Sequence, residues 1–224
     1  MVRVGILFVI SAPSGAGKTS LCKEIIDFFP DLRQSVSFTT RTPRAGEQNG
    51  EDYFFVSQDE FRRMVRDGEF AEWAEVHGNC YGTALKTLEG WCSQGLDVVL
   101  DIDCQGAAHL KESYRGAVFI FILPPGIEEL RQRLNNRNLD APDVIERRIL
   151  NAEGEIREAR WYDYLIINDR LEQAVQQLKG VITAERCRTH RVLPTIRTTF
   201  PSLNDTRKEW YHGTSNGRRL SGKS

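Results

Sequence analysis

The sequence predicts an α/β fold, a parallel sheet flanked by helices, and three observations carry that expectation. Short runs at residues 5–10, 98–102, 118–123 and 164–167 are apolar throughout, as strands covered by helices on both faces must be. Stretches with apolar residues at helical spacing stand between them, including Leu21/Ile25/Phe28, Ile127/Leu130/Leu134 and Leu171/Val175/Leu178/Ile182. A glycine-rich loop ending in lysine and threonine joins the first strand to the first helix.

That loop, Ala12-Pro13-Ser14-Gly15-Ala16-Gly17-Lys18-Thr19, followed by Ser20 at the helix start, has the context a phosphate-binding loop requires. Glycines let the backbone bend so that successive N–H groups face phosphate oxygens, and the helix start adds partial positive charge. Lys18 is placed to reach the β and γ phosphates, and the Thr19 hydroxyl to ligate Mg²⁺. The fold expected is therefore of the P-loop NTPase type. Ala12 stands where the strict pattern has glycine, and a small residue still permits the turn. The competing reading is a plain strand-to-helix turn with an exposed lysine.

Further along, residues 34–84 interrupt the alternation and read as a small β-rich lobe over the carboxyl edge of the sheet. Ser57-Gln58-Asp59-Glu60 fits a capping box opening a helix that ends near Gly68. Asp101 closes the run Val98-Val99-Leu100 and so occupies the place of a Walker-B carboxylate, with Asp103 on the same strand face. Asp103 is also placed to cap the helix that follows. A second insertion, residues 126–157, is helical and charge-rich, with Arg133, Arg137, Arg147 and Arg148 around the turn Leu139-Asp140-Ala141-Pro142. Such a pair is ordinarily a solvated surface. After the last strand, Asn168 and Asp169 read as a turn or helix N-cap, at the sheet edge where an adenine would rest.

The 224 residues suffice for one well-buried α/β core with insertions, and the net charge of −1 gives no global pull toward nucleic acid or anionic membranes. No run is long enough to span a bilayer, and the N-terminal apolar run is short for a secretory signal. Cys22, Cys80, Cys92, Cys104 and Cys187 are scattered without a CxxC pair, which suggests neither a disulfide framework nor a zinc site. A reducing, cytoplasmic setting is expected. After residue 191 the composition turns to Pro, Ser, Thr, Gly and unbalanced basic residues, and residues 192–224 are expected to be a disordered basic tail, with Trp210-Tyr211 keeping a docking role open.

Ser37-Phe38-Thr39-Thr40-Arg41-Thr42-Pro43-Arg44-Ala45-Gly46-Glu47, followed by Tyr53, Glu72-Trp73 and Gly78-Asn79-Cys80-Tyr81-Gly82-Thr83, closely resembles the nucleoside-monophosphate site of guanylate kinases. The resemblance runs in one order of motifs from about residue 5 to about residue 191. It implies a guanylate kinase domain over residues 1–191. Its core would be residues 1–33, 85–125 and 158–191, with a GMP-binding lobe at 34–84 and a helical lid at 126–157.

For the site, the resemblance implies GMP binding by Ser37, Arg41, Arg44, Tyr53, Glu72, Tyr81, Thr83 and Asp103. ATP would be held by residues 12–20, with Arg137 and Asn168. Phosphoryl transfer to a phosphate needs alignment and charge neutralisation rather than a strong base. Lys18 and Mg²⁺ supply charge on the donor side, Arg41 and Arg44 on the acceptor side, and Arg137 and Arg148 would close over the transferring group. Asp101 would stand behind Mg²⁺ through water.

Guanine presents N1–H and N2–H₂ as adjacent donors and O6 as acceptor. A carboxylate at Glu72 would accept the donors and the Ser37 hydroxyl would serve O6. Against this stand plainer readings: Arg41 and Arg44 as surface arginines of a turn, Tyr53 and Tyr81 as core aromatics, Glu72 as a surface acid. The activity expected is ATP:GMP phosphotransfer, on GMP and possibly also dGMP. The oligomeric state is left open. A guanylate-kinase-like scaffold for protein binding, or a P-loop kinase of another phosphorylated acceptor, are the alternatives.

Overall fold

The computed structural model describes residues 3–76, 78–136 and 142–204. Its central sheet contains β1 (Leu7–Ser11), β2 (Leu32–Gln34), β7 (Asp97–Asp101), β8 (Val118–Leu123) and β9 (Tyr164–Ile167), in the order β2-β7-β1-β8-β9 and all parallel. In the middle of the sheet, Phe8 pairs in register with both Val99 and Val118. Every residue of β1 is buried, which explains its unbroken apolar run.

Helices cover both faces. On one, α1 (Lys18–Phe28) and α7 (Leu171–Arg186) pack Leu21, Ile25, Val175, Leu178 and Ile182 against Phe8, Ile10 and Ile120. On the other, α3 (Leu85–Ser93) and α4 (Cys104–Ser113) enclose Leu7, Val9, Leu100 and Phe121.

Several local expectations fail for physical reasons. β2 is a three-residue edge strand with two exposed side chains, too short to leave a periodic signal, so the sheet has a strand the pattern misses. Phe28 is 55% exposed. The chain leaves α1 at Phe29 in an extended conformation, which turns Phe29 into the core and leaves Phe28 outside under the Lys179 ammonium, 3.6 Å from its ring centroid. β9 is apolar but is not covered on both faces: Leu165 and Ile167 are 53% and 57% exposed on this edge strand. Leu171 at the start of α7 is exposed as well. The N-cap of α7 is Arg170, without a side-chain cap bond, and not Asn168 or Asp169.

The lobe has its own mixed sheet, β4-β3-β6-β5, formed by β3 (Phe38–Thr39), β4 (Phe54–Phe55), β5 (Phe70–Val76) and β6 (Asn79–Ala84). Ser57 caps α2 (Gln58–Arg66), its hydroxyl accepting from the Glu60 N–H at 3.1 Å, as the capping box predicts. Phe38 stacks on Phe54, and Phe61 packs on Phe70 with ring centroids 4.7 Å apart. Gly82 admits Phe70, whose ring would lie 3.0 Å from a Cβ at that position.

In the second insertion, α5 (Ile127–Asn136) and α6 (Pro142–Glu158) share a small core of Leu130, Leu134, Ile145, Ile149 and Ala152. The turn between them, with Arg137, lies outside the described residues. At the far end of the sheet, buried Asp97 accepts from Arg186 Nε and Ile6 N–H, both at 2.7 Å, and pairs with Arg3, while Asp31 joins both arginines.

The tail boundary at 191 falls inside a helix. α8 (Thr189–Ile196) contains Pro194, and a 3₁₀ turn, Pro201–Asn204, follows it. Arg188 and Arg191 tie α8 to buried Glu185, and Arg191 also donates to the Gly116 carbonyl at 3.1 Å. Pro and polar composition there reads as disorder because the contact that fixes the helix to the body, from Arg191 to the Gly116 carbonyl, is long-range and leaves no local pattern. The Trp210-Tyr211 pair lies outside the described residues.

Candidate functional site

A cavity of about 600 Å³ lies between the carboxyl ends of the central strands and the lobe. It is lined on one side by Ala12, Pro13, Ser14, Gly15, Gly17, Lys18, Thr19 and Ser20, and on the other by Ser37, Arg41, Arg44, Tyr53, Glu72 and Tyr81, with Asp101 and Asp103 between. Residues far apart in sequence thus meet in one chamber. Ala16 is buried within the loop and Thr83 behind Glu72, and neither lines it.

The loop takes its shape from two left-handed glycines, Gly15 at φ 93° and Gly17 at φ 91°, a conformation closed to most side chains. Lys18 is the first residue of α1, but it is not the free, solvent-facing lysine the sequence suggests. Its Nζ sits 2.6 Å from Asp101 Oδ1 and donates to the Ile102 carbonyl at 2.9 Å, and the side chain is 19% exposed. Burial works to lower the Lys18 pKa, but the Asp101 carboxylate and its hydrogen bond prevail and hold the ammonium charged. Thr19 and Asp101 offer a hydroxyl and a carboxylate oxygen on the same chamber.

On the lobe side, Arg41 forms a forked pair with Glu47, at 3.0 and 2.8 Å, and its guanidinium lies 5.3 Å from the Tyr53 ring centroid. Glu47 also accepts from the Arg44 N–H at 2.7 Å. The hydrogen bond from Arg41, then that backbone bond, hold the Glu47 carboxyl below its usual value. Glu47 lies in the motif that named the arginines, so its proximity is legible, but its role as their anchor is not. Tyr53 and Tyr81 pack edge to face, 5.9 Å apart, in the chamber wall.

Glu72 is 6% exposed, which removes the surface-acid reading. It faces Thr83 across β5 and β6 in direct register and accepts from the Thr83 hydroxyl at 2.5 Å. Burial pushes its carboxyl up to about 7 against the lowering effect of that bond, and the nearby Asp103 charge adds to the rise. Gly106 makes room for it: a Cβ there would lie 2.5 Å from Glu72 Oε2. Nothing in the sequence signals Gly106. Asp103 is both a chamber residue and the N-cap of α4, accepting from the Gly106 N–H at 3.0 Å.

Arg148 of α6 donates to the Ser14 hydroxyl, so the second insertion reaches the phosphate loop. Glu155, on the same helix, lines the chamber unannounced by the sequence, and burial raises its pKa. Asn168 does not line the chamber. It is buried beneath the loop, where its Nδ2 donates to the Ala16 carbonyl at 2.7 Å. Among the described residues, no three His, Cys, Asp or Glu side chains cluster as a metal site. No helix among them is long and apolar enough to cross a membrane.

The guanylate kinase family model matches residues 5–185. Guanylate kinases of Geobacter metallireducens and Geobacter sulfurreducens are 66% and 63% identical over 200 residues, spanning 89% of this chain and 98% of each relative. The crystal structure of guanylate kinase from Anaplasma phagocytophilum superposes with a TM-score of 0.72 at 36% identity, covering 89% of this chain and 97% of that one. With this match running through both the phosphate loop and the lobe, the chain belongs to the guanylate kinase family.

Proposed function

We propose that the chain transfers the γ-phosphoryl group of ATP to GMP, reversibly giving GDP and ADP. The observation that carries this reading is the buried Glu72 carboxylate, opening on the same chamber as Lys18 and Thr19. With one oxygen occupied by Thr83, the other is available to the adjacent N1–H and N2–H₂ donors of guanine, a pairing adenine does not offer. Ser37, on the same wall, serves O6. Thr83 acts through Glu72, a closer fit to its buried position than direct base contact. The match is to the base itself and so draws no distinction between GMP and dGMP.

The acceptor phosphate is already ionised near neutral pH, so the residues have to align two anions and neutralise their repulsion, which amounts to several kcal/mol at low effective dielectric. Arg41, held by Glu47, Arg44 and the hydroxyls of Tyr53 and Tyr81 receive the GMP phosphate. Loop N–H groups from residues 12–20 and Lys18 receive the ATP phosphates. Lys18 exchanges part of its contact with Asp101 for the incoming anion.

Thr19, with Asp101 through water, is a hard-oxygen set that fits Mg²⁺ carried in with the nucleotide. Bound there, Mg²⁺ neutralises phosphate charge. Arg148, already at Ser14, and Arg137, outside the described residues, close over the transferring group. The lobe at 34–84 and the lid at 126–157 are the moving parts, and a cytoplasmic setting suits the five free cysteines, four of them at least partly buried.

ADP release measured across the common nucleoside monophosphates tests the reading. GMP should be the strongly preferred acceptor. A protein that bound nucleotides without GMP-dependent ADP release would be a scaffold, and one preferring another acceptor would be a different kinase.

A further inference from the structure

The Ala16–Gly17 peptide is fixed from outside the phosphate loop. Asn168 Nδ2 donates to the Ala16 carbonyl at 2.7 Å in a buried contact, and a Cβ on Gly17 would lie 2.4 Å from that same nitrogen. A trans peptide points its C=O and N–H in opposite directions. A carbonyl drawn toward Asn168 therefore turns the Gly17 N–H the other way, toward the chamber that Gly17 lines. The Ala16 N–H is committed to the Pro13 carbonyl at 3.0 Å, whereas no acceptor is found for the Gly17 N–H among the described residues.

Asn168 is itself held at both ends of its backbone. Its N–H donates to the Leu123 carbonyl of β8 at 2.8 Å, and its C=O accepts from Arg133 NH1 of α5 at 3.0 Å. Leu130 and Leu134 of the same helix lie against the loop, each with a methyl 3.0 Å from where a Gly15 Cβ would be. One buried residue thus joins the sheet and the first lid helix, through its backbone, to the phosphate loop, through its carboxamide.

We propose that Asn168 is a positioning residue for the phosphoryl donor: its carboxamide aims the Gly17 N–H at the triphosphate, and its carbonyl ties that peptide to the lid through Arg133. This replaces a contact with adenine as its principal task. It deepens the kinase reading, but the loop part rests on binding alone and can be measured without turnover.

The experiment uses the full chain and displacement of a fluorescent ATP analogue by ATP, by inorganic tripolyphosphate and, separately, equilibrium binding of GMP. Asn168→Ala should weaken ATP and tripolyphosphate by the same factor, about tenfold or more, while GMP affinity stays at the wild-type value. Asn168→Asp keeps the volume but, ionised, has no donor. Placed against the Ala16 carbonyl it sets acceptor against acceptor, so its defect for ATP and tripolyphosphate should be at least as large as that of the alanine variant.

Weakened ATP with unchanged tripolyphosphate would overturn the proposal in favour of adenine contact. Loss of GMP binding in both variants would overturn it by making Asn168 a residue of the fold. So would an aspartate variant that binds ATP and tripolyphosphate as tightly as wild type. If the wild type failed to form ADP with GMP, the kinase reading would fall while these binding ratios still judged the loop.

Discussion

Glu72 and Thr83 stand opposite each other in register on β5 and β6, joined by a 2.5 Å hydrogen bond in which the threonine hydroxyl donates. The threonine thereby fixes which carboxylate oxygen faces the chamber. Glu72→Gln should put an amide N–H₂ against the donors of guanine, costing roughly 2–4 kcal/mol of transition-state binding. GMP kcat/KM should fall steeply and that for AMP change little. An equal loss for both acceptors would show that Glu72 does not read the base.

The same carboxyl predicts a pH dependence. Its folded value of about 7 lies above the ordinary 4.5, so the folded chain binds the proton more tightly. Its contribution to stability is then full below about pH 4.5 and is lost as pH rises through about 7, a change on the order of 3 kcal/mol. Thermal denaturation should show Glu72→Gln raising Tm relative to wild type more at pH 8 than at pH 5. GMP affinity, which uses the ionised form, should weaken below pH 7 in the wild type more than in the variant.

Lys18→Ala should collapse turnover, by about 3 kcal/mol or more in the barrier. Because Lys18 is paired with Asp101, the substitution should also destabilise the fold by roughly 1–3 kcal/mol, through the unpaired carboxylate left behind. Adding Asp101→Asn should restore stability in urea denaturation without restoring kcat. Recovery of both would remove Lys18 from the chemistry.

Glu47 orients Arg41 without itself being suited to touch an anion. Glu47→Ala should therefore raise the KM for GMP about three- to tenfold and leave the KM for ATP unchanged. A matching rise for ATP would indicate damage to the whole lobe.

Asp97 provides the contrast, since it lies at the opposite end of the sheet. Asp97→Ala leaves Arg186 and the Ile6 N–H without their carboxylate and should cost about 3–5 kcal/mol in chemical denaturation, with kcat near normal at a temperature where the variant is folded. A stable variant with impaired turnover would contradict this division.

The elements that wrote clear local patterns were legible in the sequence. β1, β7 and β8 are buried on both faces, and the loop before α1 combines glycine, lysine and threonine in a fixed order. Ser57 and Asp103 cap helices as their side chains suggest. What escaped depends on long-range geometry. Gly106 matters only because Glu72 approaches it, Lys18 is paired and half-buried because Asp101 ends a strand beside it, and the Asn168 carboxamide faces a loop whose residues are distant in the chain. Edge positions such as Leu165 and Ile167 mislead because an apolar side chain does not report whether a neighbour exists.

The close approach of Gly106 to Glu72 also bears on recombination. The glycine belongs to α4 of the core and the carboxylate to β5 of the lobe, so the proposed guanine pocket has one wall from each. A chimaera that imports the lobe onto a core with any larger residue at that position would bring the new side chain into the carboxylate. It would keep every lobe motif intact and still lose its base preference. If Glu72 reads the base, selectivity is inherited by the seam between the two parts and does not travel with the lobe alone.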